Sequence, residues 1–118
     1  MTLELDPEVV AQIREVGGEE LVRELFETFV ENAGSRLEAL RRARQRADLP
    51  GILAAAHSIR SAGASIGTAG LARLAGETER LARAGESGAV ASAAALETAL
   101  ASTIGGLRLR LDGSSSPG

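Results

Sequence analysis

The chain has no cysteine, tryptophan or tyrosine, and only two phenylalanines, Phe26 and Phe29. Without cysteine, neither a disulfide framework nor a thiolate metal site can form, and nothing calls for an oxidising compartment, so a cytoplasmic protein is expected. With so few aromatics, Leu, Val, Ile and Ala must fill the core, and no alternating run of β-branched and aromatic residues marks a strand. The opening stretch Met1-Thr2-Leu3-Glu4-Leu5-Asp6-Pro7-Glu8 is acidic and lacks the apolar region of a signal peptide. A strongly hydrophobic run is missing too. Residues 87–107 carry Glu97 as their only charge, but their Ala, Gly, Ser and Thr content keeps them weakly hydrophobic, and no membrane span is expected. Net charge is −3, and the arginines are scattered without interleaved aromatics, which disfavours nucleic acid as a partner. The one dense basic run, Arg41-Arg42-Ala43-Arg44-Gln45-Arg46, falls at the end of a predicted helix, where the helix dipole accounts for it.

What is present is a helical pattern. A chain of 118 residues with 44% hydrophobic content suits a single domain with one core. Asp6-Pro7 is a cap-then-proline helix start, predicting a short helix over 7–16 that Gly17-Gly18 ends. Leu21, Val22, Leu25, Phe26, Phe29, Val30, Ala33, Leu37 and Leu40 then recur at helical spacing, predicting a long helix over 19–47, with Gly34 as a candidate bend. Asp48-Leu49-Pro50 repeats the start signal for a helix whose stripe is Ile52, Ala55, Ala56, Ile59, Ala62, Gly63 and Ile66. After Gly67, Thr68 is placed to cap a helix reaching residue 84, along Leu71, Leu74, Ala75, Thr78 and Leu81. A last helix spans 89–111, with Gly105-Gly106 as a kink or early end, followed by a disordered Gly/Ser tail over 112–118. The expected fold is all-α: an antiparallel up-down four-helix bundle over 1–111, with the short N-terminal helix capping one end.

The chain has one histidine, His57. At about 100° per residue, Ile52, Ala55, Ile59 and Ile66 lie roughly 160–220° from it, so it points away from the core. Its own face carries Leu53, Ala64, Ser61 one turn on, and Arg60 at i+3. These small and cationic neighbours admit a phosphorylated group carried by another protein, and Arg60 can hydrogen-bond phosphoryl oxygens. Imidazole titrates near neutrality and so offers a free nitrogen lone pair as nucleophile.

Ala56-His57-Ser58-Ile59-Arg60-Ser61-Ala62-Gly63-Ala64-Ser65-Ile66-Gly67 resembles the signature of the histidine phosphotransfer (HPt) domain family. The signature is a histidine, an apolar residue at +2, a basic residue at +3, small residues from +4, and glycine at +10. Leu5-Asp6-Pro7, Gly17-Gly18, Leu71-Ala72-Arg73-Leu74 and Glu77 agree as flanks, so the resemblance covers about residues 5–108. It implies a five-helix domain containing a four-helix bundle, a phosphorelay intermediate of two-component signalling. His57 would accept a phosphoryl group from a receiver-domain aspartate and pass it to another receiver. Arg60 would stand for the family's usual lysine, Ser61 for its usual glycine, and Gly67 for its helix-ending glycine. The implied partners are response-regulator receiver domains or a hybrid sensor kinase, with magnesium supplied by the receiver and no cofactor bound by the chain itself. Docking would use an apolar patch beside the histidine, with Leu53, Ala64, Phe26 and Phe29 as candidates; the pattern leaves open which of Leu25, Phe26, Phe29 and Val30 on the preceding helix is exposed. A monomer is expected, because the motif face must stay accessible.

Two rival readings are a phosphoacceptor domain of a larger histidine kinase and a structural or adaptor bundle whose histidine has no chemical role. The length of the chain argues against the first, and without a Gly-rich nucleotide loop the chain has no ATP-dependent kinase activity of its own. A metal site is disfavoured because no Asp or Glu stands at i±3 or i±4 of His57. No carboxylate is expected to orient His57 as a general base for a nearby nucleophile, and Ser58 and Ser61 read as ordinary helix residues, which disfavours hydrolysis.

Overall fold

The computed structural model describes residues 4–115. They form α1 (Pro7–Gln45), α2 (Leu49–Ser65), α3 (Ala69–Arg83) and α4 (Gly88–Ser115). Turns of three or four residues join them, so consecutive helices run antiparallel. Each packs on the next, α1 packs on α4 to close the ring, and α2 meets α4 across the core.

The predicted break between the first two helices is a single residue. Gly18 adopts φ 73° and ψ −170° inside α1, a conformation that L side chains rarely adopt. Gly34 remains helical within α1. The part of α1 before Gly18 caps one end of the bundle, as expected. Asp6 N donates to Gly67 O at 2.7 Å, and the backbone turns at Gly67 with φ +84°. A Cβ on Gly67 would stand 3.3 Å from both Asp6 O and Val9 Cβ, so this glycine serves the turn and the docking of the first helix together.

The aspartate caps form as read. Asp6 Oδ1 accepts from Glu8 N at 2.9 Å, and Asp48 Oδ1 accepts from Gly51 N at 3.1 Å. Thr68 differs. Its hydroxyl makes no cap to α3 and donates instead to Gly63 O at 2.8 Å, because the side chain is buried where α2 turns into α3.

Leu40, Ile52, Ile59, Leu96, Leu100 and Leu107 are fully buried, and Phe26 and Phe29 join them. Truncating one of these leucines to alanine would remove about 2–5 kcal/mol of stability. Gly105-Gly106 neither kinks nor ends α4, since Ile104 and Leu107 on either side are both in the core and keep one face of the helix packed. The helix continues through Asp112 to Ser115, so the expected tail begins later than residue 112; residues 116–118 lie outside those described. By length and composition α4 could cross a membrane. In the bundle Ala89, Ala93, Leu96, Ala99, Leu100, Ile104 and Leu107 of this helix are core, and Leu109 is exposed.

The basic run at the end of α1 is more than a dipole effect. Arg41 and Arg44 both pair with Glu97 of α4, and Arg41 and Arg42 pair with Glu38.

Candidate functional site

Ile52, Ala55, Ala56, Ile59 and Gly63 turn one side of α2 into the core, which leaves His57 on the outer face with its side chain 60% exposed. Ser61, Arg60 and Ala64 are exposed beside it, and Leu53 is half-buried. The structure therefore brings together the neighbours expected on the histidine's face.

It also supplies a carboxylate that reasoning along one helix missed. Glu79, on α3, lies 3.1 Å from His57 Nδ1 through Oε2, and its side chain is only 5% exposed. Glu79 Oε1 accepts from Arg60 Nε at 2.6 Å, and Oε2 accepts from Arg83 Nη2 at 2.9 Å. Foremost the Arg60 hydrogen bond, with those from His57 and Arg83, holds the Glu79 carboxyl well below the usual range, at about 2, against the opposing effect of desolvation. Glu79 is thus an anion at neutral pH. A carboxylate accepts only, so the Glu79 contact is a hydrogen bond when Nδ1 carries the proton, and in that tautomer the ring's lone pair is on Nε2. Arg60 Nη2 also lies 3.2 Å from Nδ1, close enough to add positive charge beside the ring.

Gly76 makes this arrangement possible. A Cβ there would stand 3.3 Å from Arg60 Cδ, so the bare backbone of α3 lets the arginine stem lie across it towards Glu79. Glu77, which the sequence pattern singled out, pairs instead with Arg80 on the surface.

The docking candidates on α1 need correction. Phe26 and Phe29 are each 4% exposed and belong to the core, because both fall on the inner side of the stripe. Leu25 and Val30, one position outside it, are partly exposed. Leu25, Thr28, Phe29, Asn32 and Arg36 of α1 face Ala62 and Ser65 of α2 and its C-cap Ile66 across a groove of about 200 Å³, so the small exposed part of Phe29 lies at its floor. A larger cavity of about 540 Å³ lies under the N-terminal helix, between Leu5, Val10, Val22, Phe26 and Leu111, with no α2 or α3 residue in its lining.

Comparison with known proteins agrees with this fold. The family model described as the Hpt domain matches residues 24–112. The crystal structure of histidine-containing phosphotransfer protein B (HptB) from Pseudomonas aeruginosa PAO1 is similar, with TM-score 0.77 and 29% sequence identity, covering 93% of this chain and 92% of that one. No curated protein sequence matches the chain. With a matching family model over most of its length and a bundle that presents a histidine on its outer face, the chain belongs to the Hpt domain family and serves histidine phosphotransfer in phosphorelay signalling.

Proposed function

We propose that His57 is the phosphoacceptor and that Nε2 is the reacting atom. The observation that carries this reading is the contact between His57 Nδ1 and the buried Glu79 carboxylate, on a side chain that is itself 60% exposed. In the forward step the Nε2 lone pair attacks the phosphorus of a receiver aspartyl phosphate. The N–P bond forms as the P–O bond to the aspartate breaks, and the carboxylate leaves with that electron pair. The ring keeps its Nδ1 proton and becomes cationic, and Glu79 balances that charge. The reverse step, with a second receiver aspartate as nucleophile, returns the ring to neutrality.

Such a transfer asks the protein for positioning and charge stabilisation more than for covalent chemistry. Magnesium on the developing phosphoryl charge would come from the receiver. Arg60 holds the Nδ1 side of the site, Ser61 keeps its approach open with a small side chain, and Leu25, Val30, Leu53 and Ala64 are the apolar residues offered to the incoming receiver. Soluble receiver domains and hybrid kinases are the partners, and the chain acts as a cytoplasmic monomer.

Incubation with a phosphorylated receiver tests the reading. The expected result is an acid-labile, base-stable label on the wild-type chain and none on His57→Gln. Equal labelling of both, or of neither by any receiver that turns over its own aspartyl phosphate, contradicts it.

A further inference from the structure

Three arginines surround the histidine, and they are not equivalent. Arg60 from α2 and Arg83 from α3 are both committed to Glu79. Arg36 from α1 lies on the other side. Its Nε donates to Ser58 Oγ at 3.1 Å, and Ser58 immediately follows His57 in α2. Neither of its terminal Nη groups has a partner among the described residues, and no carboxylate pairs with it there.

The register of α2 decides on which flank of His57 this arginine lies. With His57 at zero, Arg60 lies roughly 60° to one side, towards α3, while Ser61 and Ser58 lie roughly 40° and 100° to the other, towards α1. Glu79 engages Nδ1 from the α3 side, while Ser58, Ser61 and Arg36 lie on the other flank of the histidine, towards α1. An arginine tethered through Nε keeps its two Nη groups as a planar fork, the geometry that binds phosphate oxygens bidentately. The tether is a neutral hydroxyl and leaves the charge unspent. The groove between α1 and α2 reaches Arg36 at one end, so the guanidinium also borders the surface a receiver would cover.

We propose that Arg36 is the cation that grips the phosphoryl oxygens once the group is carried on His57 Nε2, with Ser58 fixing the guanidinium in place. This deepens the phosphoacceptor reading and rests on it. No bond is made or broken in the step. The Nη–H donors of Arg36 replace water around the phosphoryl dianion, while Arg60 and Arg83 stay with Glu79 to balance the ring.

The test loads the full chain with phosphoramidate, which phosphorylates an exposed imidazole chemically, and follows the phosphoryl group by ³¹P NMR against pH. Arg60, Glu79 and Arg83 remain in place in every Arg36 variant. A neighbouring cation favours the dianion, so R36A and R36Q should each raise the phosphoryl titration midpoint by about 0.5 pH unit, and R36K, which keeps the charge without the fork, should move less than either. R36Q retains a donor for Ser58, so it separates lost charge from lost packing. If R36Q titrates with the wild type, or R36K moves as far as R36Q, the assignment is overturned. Because phosphoramidate needs no receiver, failure of receivers to label His57 would sink the phosphoacceptor reading while leaving this titration readable.

Discussion

Two poorly exposed glutamates on opposite sides of the bundle each pair with arginine across a helix seam, yet only one of them also holds a histidine. Glu97, 12% exposed on α4, binds Arg41 and Arg44 of α1. Glu79, 5% exposed on α3, binds Arg60 of α2 and Arg83 of its own helix. Both clusters join helices by charge-assisted hydrogen bonds. The difference is His57, whose Nδ1 lies 3.1 Å from the Glu79 carboxylate. On the proposed reading, a charge cluster becomes a functional site when a group able to make a bond to phosphorus is held within it.

The comparison predicts contrasting outcomes for the same substitution. Glu79→Gln should slow phosphoryl acceptance from a receiver by about tenfold, the equivalent of one charge-assisted hydrogen bond, because a neutral amide cannot balance the charged ring. Glu97→Gln should leave that rate unchanged. Its effect should be confined to a loss of stability, read from urea unfolding. Equal loss of transfer in both variants would break the distinction.

A smaller effect should appear in acid. Glu79 titrates at about 2 when folded, below its ordinary value of 4.5. A depressed carboxylate pKa contributes stability that is fully present above 4.5 and is lost as pH falls from there towards 2. Urea midpoints at pH 6 and pH 3 should therefore differ less for Glu79→Gln than for wild type. An unchanged difference would show that the Glu79 contacts add nothing to folding.

The sequence made the placement of His57 legible because the stripe Ile52, Ala55, Ile59 and Ile66 fixes which way α2 faces, and the four-helix pattern followed from the same periodicity. Glu79 escaped because its contact with His57 bridges 22 positions between two helices. A signal was nevertheless present. Leu71, Ala75, Thr78 and Ala82 are buried on α3, and Glu79 falls among them. A carboxylate on an apolar stripe demands cationic partners from the facing helix, and α2 offers Arg60 at that level. The identity of the docking residues was hidden for the opposite reason. Phe26 and Phe29 share a stripe with Leu25 and Val30, and only packing against α4 and α2 decides which of them are covered.

The central claim is that Glu79 holds the Nδ1 proton so that Nε2 carries the phosphoryl group. The most direct measurement is ¹⁵N-edited NMR of His57 before and after phosphorylation by a receiver. The account predicts a protonated Nδ1 in both states and phosphorus coupling on Nε2 in the second. Phosphorus coupling on Nδ1, or a free ring protonated on Nε2 at neutral pH, would contradict it.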